Sequence, residues 1–500
     1  MSQLKKGALL SYVSIFLTNG IGLVLTPYII RSLGDAEYGL YTLIGAFVGY
    51  MTVLDLGLNN TIIRYVAKYR AENDKAGEEK FLGTSILIYV AIALLVCFIG
   101  VILFLNLESI FSGSLTDDEL SKAKIMFLVL LFNIAVTLPG GAFEAICSGY
   151  EHFVYPRAMK IVRYLIRSAA VVGLLYYGGD AIGLVVLDTI MNLSIILSNG
   201  YYVLKKLKVS FSFKGFDKIL VKEIFGYSIW IFVMALVYQF QFKGGQIILG
   251  IETNTTVVAV YAVGILLGSY YGAFASAINS VFLPRAMKMI VANSNSRMLE
   301  NEVVKIGRYT FSVLFLILIG FFFFGESFIT FWVGSTYKDA WFIAFIVMLA
   351  STQILVFSFT DGLLKAKKLF KFKGLTYISL LLLGTYLGYF LIDFYGSKGM
   401  ILGICSSWFL SQILVFLYVS SKFKISLKAI YFRVFNLNFA LSFIVLVFFG
   451  FLINMISSNS IFGLVMSILA LIIIYLVVYY FIYANQNEKA QFNLLIQKLL

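Results

Sequence analysis

Four cations share one face of a single apolar stretch: Arg157, Lys160, Arg163 and Arg167, within Phe153–Tyr177. Their spacings of 3, 3 and 4, at about 100° per residue, hold them within roughly a third of a helix circumference. Only about ten apolar residues follow Arg167 before Gly178-Gly179-Asp180. A membrane span needs about 20 residues at about 1.5 Å each. This helix therefore crosses a bilayer only with Arg163 and Arg167 inside it, which sets Arg167 roughly 15 Å deep. A cation at that depth is rarely placed against lipid. It points to a polar cavity that receives something negative. Snorkelling to the cytoplasmic headgroups is the competing account for Arg157, Lys160 and Arg163, and it fits Arg167 poorly.

Further polar side chains sit in other apolar stretches. Gln239, Lys243 and Gln246 recur at spacings of 4 and 3, so they share a face. They read as a cavity wall, against outward snorkelling of Lys243. The substrate-binding set is thus Arg163, Arg167, Lys160, Lys243, Gln239 and Gln246. Asp188, Asn192 and Asn199 share another face. Asp188 either pairs with Arg167 or binds a coupling H⁺ or Na⁺. Asp55 is the second candidate for ion coupling, against simple pairing with an interfacial base. Glu144, after Pro139-Gly140-Gly141 (read as loosening the helix), and Asp361 are candidates for a cytoplasmic gate. Pairing with an interfacial base is again the alternative.

These residues need membrane helices to position them. The chain is 61% hydrophobic and 13% charged, about half the charged share of soluble domains. We read an all-α integral membrane protein with fourteen spans, near 7–30, 39–63, 82–105, 125–148, 156–177, 181–204, 224–249, 257–283, 309–331, 341–364, 374–394, 399–420, 436–456 and 461–483. The fifth is too charged for a strict hydropathy cutoff. The first is too long for a signal peptide and lacks a small-residue cleavage site. With the N-terminus inside, the loops 64–81, 149–157, 205–223, 284–308, 365–373 and 421–435 are cytoplasmic and rich in Lys and Arg. The opposite loops hold few cations, such as Lys122, Lys124, Lys338 and Lys398, and the acidic Thr116–Leu120. The net charge of +14 is thus mostly a topology signal that also draws anionic lipid, and gives no reason to invoke nucleic acid. Both termini are expected in the cytoplasm. Residues 485–500 read as a short amphipathic interfacial helix.

The chain also repeats weakly at about 216 residues. Leu33-Gly34 matches Leu249-Gly250, Glu144 matches Asp361, and Phe153 matches Phe370. Two lobes of six helices follow, 1–204 and 223–420, joined by a cytoplasmic linker, 205–222. Residues 421–500 add two more spans and a tail. Repeats of even span number keep one orientation, so their pseudo-axis runs along the membrane normal, with substrate between the lobes.

Other chemistries find no support. His152, the one histidine, has no nearby cysteine or carboxylate cluster, so no metal site is expected. Cys97, Cys147 and Cys405 form neither a disulfide framework nor a zinc pattern. No phosphate loop, dinucleotide fingerprint or nucleophile elbow stands in a fitting context. We expect no enzyme and no cofactor, with transport driven by an H⁺ or Na⁺ gradient or by the substrate's own gradient.

Ile29–Tyr41 (IIRSLGDAEYGLY), Leu54–Leu58 (LDLGL) and Ile63–Ala67 (IRYVA) resemble the start of Wzx-type lipid-linked oligosaccharide flippases. These are polysaccharide transporters of the multidrug/oligosaccharidyl-lipid/polysaccharide (MOP) superfamily. The specific likeness covers the N-terminal 80 or so residues; the rest agrees in span count and loop pattern. The resemblance implies a MATE-like fold in a bacterial inner membrane, with two six-helix lobes around a cationic cavity. It implies export of an undecaprenyl-pyrophosphate-linked repeat unit, such as O-antigen, with the lipid-linked oligosaccharide, membrane lipids, a polysaccharide polymerase and a chain-length regulator as partners. Arg and Lys suit a pyrophosphate by charge and geometry. A lipid II flippase shares the span count and the cations. A multidrug or cation antiporter of the superfamily usually has twelve spans and an acidic cavity. A glycosyltransferase or ligase would need a large external catalytic loop, which is missing here, and a non-transporting scaffold leaves the buried cations without purpose.

The orientation is directly testable. A cysteine at Ser210 or Ser294 should react with a membrane-impermeant maleimide only after permeabilisation, and labelling in intact cells would overturn the loop assignment.

Overall fold

In lipid, backbone N–H and C=O groups must be satisfied within the chain, so apolar runs of spanning length fold as helices. The computed structural model describes residues 3–55, 57–213, 232–292, 294–367, 369–456, 460–486 and a few between 488 and 497. Among these there are helices and no strand. They are α1 (Gln3–Leu33), α2 (Asp35–Gly49), α3 (Leu58–Ala71), α4 (Lys75–Phe111), α5 (Asp117–Gly149), α6 (Val154–Tyr176), α7 (Ala181–Tyr201), α8 (232–252), α9 (Thr255–Val291), α10 (Ser296–Val333), α11 (Ala340–Val356), α12 (Phe359–Ala366), α13 (Phe370–Tyr395), α14 (Ser397–Phe423), α15 (Leu427–Val434), α16 (Leu437–Ile456) and α17 (Ile461–Val478).

Among the described residues, eleven helical segments are long and apolar enough to cross a membrane, or twelve with α11 and α12 taken as one span bent by 51°. Two of the fourteen expected spans fall outside that set. The fifth corresponds to α6, which has 23 residues but carries the cationic face. The seventh begins at 224–231, outside the described residues, and continues as α8. The basic residues Lys214, Lys218, Lys222 and Lys368 also lie outside them, as does most of the expected tail helix.

The chain forms two compact units, Met1–Ala262 and Val263–Leu500. In the first, α5 is the hub, packing on α2, α3, α4 and α7, while α6 packs on α1 and α7. A capping box between Thr116 and Glu119 starts α5. Glu37 in the first turn of α2 ties three helix starts together: it accepts from the Ala181 backbone N–H at 2.8 Å and from Lys122 Nζ at 3.2 Å. Span 2 falls within one candidate membrane span, Asp35–Ala71, interrupted by a 3₁₀ turn, Tyr50–Asp55, and left-handed Gly57 (φ 71°). One local expectation is corrected here. Pro139-Gly140-Gly141 does not loosen α5, which runs through it. The glycines instead let Ile196 and the Asn59 amide approach the backbone.

In the second unit, α13 and α14 meet backbone to backbone. Gly384 and Gly388 on one helix face Gly403 on the other, and a Cβ at any of the three would overlap the opposite main chain. Around α10, Phe311, Phe315, Phe435 and Phe439 pack with ring centroids 4.8–5.8 Å apart. Arg308 anchors this region. Its guanidinium donates to Glu488 Oε1 (2.7 Å) and Oε2 (2.8 Å), to the Tyr483 carbonyl (2.9 Å) and to the Arg433 carbonyl (3.1 Å). The two charged side chains are only 5% and 4% exposed. Replacing Glu488 by Ala strands a buried cation and should cost about 3–5 kcal/mol, read as a lower unfolding temperature in detergent. The double variant Arg308→Met/Glu488→Leu should recover most of that loss.

Candidate functional site

The cationic face of α6 meets polar residues of α5 and α7, all within the first unit. Arg167 makes a two-point contact with Asp188 on α7: Nε donates to Oδ1, and Nη2 donates to Oδ2 at 2.9 Å. Tyr41 on α2 donates its hydroxyl to the same Oδ2 at 3.1 Å. The two charged side chains are 20% and 24% exposed. Bidentate pairing of this kind makes a guanidinium acceptable at such depth. Of the two roles open to Asp188, the ion pair is the one this geometry makes.

Two turns nearer the start of α6, Lys160 Nζ donates to Glu144 Oε1 on α5 at 2.6 Å. Arg157 lies over the Phe153 ring, 5.4 Å from its centroid. Arg163 stands between the two ion pairs, within electrostatic range of both Asp188 and Glu144. It forms no ion pair with any described residue, and its buried Nε has no hydrogen-bond partner. One turn along α7 from Asp188, the Asn192 amide donates to Asn133 Oδ1 (2.6 Å) and Thr137 Oγ1 (2.5 Å) on α5. Asn199 is buried, and its Oδ1 is unpartnered.

The α8 residues divide in function. Gln239 donates to the Gly49 carbonyl (3.0 Å) and to Thr52 Oγ1 (3.1 Å), where span 2 is broken. Gln246 is 2% exposed, so the expected open polar wall does not extend to it. Lys243 lies in a π turn, Phe240–Gly244, and makes no hydrogen bond or ion pair with a described residue. Such bulges widen a helix by one residue and often accompany function. The α8 helix belongs to the same compact unit as α6.

The remaining acids have local partners. Asp361 accepts from Lys373 Nζ at 2.7 Å through both oxygens, within the second unit. Each expected gate acid, Glu144 and Asp361, is thus bound to a lysine of the next helix. Asp55 was expected to have a basic partner as one alternative, and among the described residues it has none. It ends the 3₁₀ turn and accepts from Tyr89 (2.9 Å) and from Asn59 (3.2 Å). His152 Nδ1 lies 2.8 Å from the Tyr202 hydroxyl. Among the described residues, no group of three metal-ligating side chains converges.

Several partners escaped sequence reasoning. Tyr41 and Tyr89 come from distant helices and leave no local signal. Asn133 and Thr137 did leave one: polar residues at i, i+4 in an apolar run, in line with Glu144.

The fold is shared with solved membrane transporters. The chain resembles a solved lipid II flippase, MurJ, in an inward closed conformation (TM-score 0.69, 17% identity, 95% of this chain and 98% of that one). It also resembles an inward-facing multidrug resistance MATE transporter of the MOP superfamily (TM-score 0.65, 12% identity, 83% and 98%). More narrowly, the chain belongs to the polysaccharide biosynthesis protein family, whose profile matches residues 4–290. A curated relative from Shigella flexneri, described as "Putative O-antigen transporter", is 24% identical over 408 residues, 77% of this chain and 90% of its own length. The protein is a helical, multi-pass membrane protein of the polysaccharide biosynthesis family.

The Arg167–Asp188 contact predicts non-additivity. Arg167→Gln and Asp188→Asn should each lower stability by leaving one buried charge unpaired. The double variant should recover about 1–3 kcal/mol relative to the sum, measured by thermal unfolding in detergent.

Proposed function

We propose that this protein moves a polyprenyl-pyrophosphate-linked oligosaccharide repeat unit across the bacterial inner membrane by alternating access. Transport runs from the cytoplasmic to the periplasmic leaflet, with both termini in the cytoplasm. The observation that carries this reading is Arg163. It is a guanidinium within a membrane helix that lacks a counter-charge, while the cations one turn on either side already have theirs. Such a group is costly unless a ligand completes it, and a phosphate matches its planar fork. Lys243 likewise makes no hydrogen bond or ion pair with a described residue and serves the same anion. Arg167 and Lys160 act indirectly, by keeping Asp188 and Glu144 from neutralising Arg163.

Asp188, Glu144 and Asp361 are all paired with bases, while Arg163 and Lys243 pair with no described acid, which favours an anionic substrate. A lipid II flippase would use the same charge logic, so the two differ only in sugar recognition. Asp55, held by neutral donors alone, is the candidate for coupling to an H⁺ or Na⁺ gradient. Glu144–Lys160 and Asp361–Lys373 are latches that open or close with the cytoplasmic gate. A polysaccharide polymerase and a chain-length regulator receive the exported unit.

Complementation of a flippase-deficient strain, with membrane protein levels checked, tests the reading. Arg163→Glu should abolish export through repulsion, and Arg163→Lys should keep part of it. Arg163→Gln should reduce it about 10–100-fold, the worth of a charge-assisted hydrogen bond. Normal export by Arg163→Glu at normal abundance would overturn the proposal.

A further inference from the structure

We propose that the Asn133–Thr137–Asn192 cluster is a carbohydrate subsite that reads the hydroxyl groups of the sugar attached to the pyrophosphate. This inference rests on the assignment of Arg163 to the phosphate.

The placement follows from one contact. Arg167 on α6 meets Asp188 on α7, and the two helices are antiparallel neighbours. One turn back on α6 is Arg163, and one turn forward on α7 is Asn192, so both lie about 5.4 Å to the same side of the ion pair. In a glycosyl pyrophosphate the first sugar is bonded directly to the phosphate. A subsite for its hydroxyls must therefore stand at the level of the phosphate-binding cation, which is where the helix register puts this cluster.

The bonding inventory points the same way. Asn192 spends both amide hydrogens on Asn133 Oδ1 and Thr137 Oγ1. The Thr137 hydroxyl donates back to the Asn133 carbonyl at 2.6 Å. That leaves Asn192 Oδ1 as an acceptor and Asn133 Nδ2 as a donor of two hydrogens. Neither atom is bonded to a described residue, and neither is sealed from solvent, since both residues are half-buried. An open acceptor beside an open donor is the complement of a sugar hydroxyl, which both gives and takes a hydrogen bond. A purely structural cross-link between α5 and α7 would bury these groups and use their full capacity. The cluster carries no charge, so it adds no ionic attraction for phosphate, and the proposal confines its effect to the sugar.

The test is lipid binding by the purified full-length chain in nanodiscs, with two probes. One is a polyprenyl pyrophosphate bearing a single hexose. The other is the same lipid without sugar. Asn192→Leu should weaken the glycosylated lipid about 5–30-fold, the worth of one or two hydrogen bonds, and leave the bare lipid within about twofold. Thr137→Val preserves shape and removes the hydroxyl that orients the amides. It should act in the same direction and secures the result if Asn192→Leu fails to fold. Arg163→Gln should weaken both lipids alike. If Asn192→Leu and Thr137→Val affect both lipids equally, or neither, the subsite is wrong whatever Arg163 does. If Arg163→Gln leaves both lipids unaffected, the phosphate assignment fails, and with it the basis for placing the sugar here.

Discussion

A guanidinium halfway along a membrane helix must find a negative partner or a ligand, and the arrangement of the first unit follows from how that demand is met. Asp188 answers it for Arg167 through two hydrogen bonds, with Tyr41 steadying the same carboxylate. The pair fixes the register of α6 against α7. Register then decides what lies level with it: Arg163 and Asn192 stand one turn to the same side along their helices, and Lys160 reaches Glu144. The outer ion pairs settle two of the three deep cations locally. The middle one, Arg163, forms no ion pair with a described residue, and it is the cation on which the proposed function rests.

Much of this was legible in the sequence because helical periodicity is a local property. The spacing of Arg157, Lys160, Arg163 and Arg167 set their shared face, and the stretch Phe153–Tyr177 matches the 23-residue helix α6. The superfamily resemblance in the N-terminal 80 or so residues agrees with the family profile over 4–290. Partners were far less legible. Tyr41 lies 147 residues from Asp188, and Glu488 lies 180 from Arg308. Such pairings come from packing, which periodicity does not encode. The break in span 2 was missed for a related reason. Tyr50–Asp55 is apolar enough to continue a helix, and only Gly57 hints otherwise. Pro139 shows the opposite error: in a span its helix-breaking tendency is outweighed, since neighbouring helices re-satisfy the freed backbone group.

Two kinds of fastening join the helices. Polar side-chain contacts hold α6 to α5 and α7 in the first unit and make the Arg308 anchor of the second. Close backbone approach joins α13 to α14 in the second unit, beside aromatic packing around α10. Side-chain bonds can be exchanged for others as helices shift. Interlocked backbones cannot slide without opening a void, so the α13–α14 hairpin behaves as one plate.

The link between α8 and the broken span has a mechanical consequence. Where α2 unwinds, the Gly49 carbonyl and the Thr52 hydroxyl are served by the Gln239 amide, a donor lent from another helix. The Thr52 hydroxyl also donates to the Gly49 carbonyl at 2.7 Å, so pulling α8 away would leave that carbonyl one donor of two and the hydroxyl oxygen none. The loan ties the two segments like a crank and its rod: as α8 retreats, the unwound turn either follows it or gives up the two bonds.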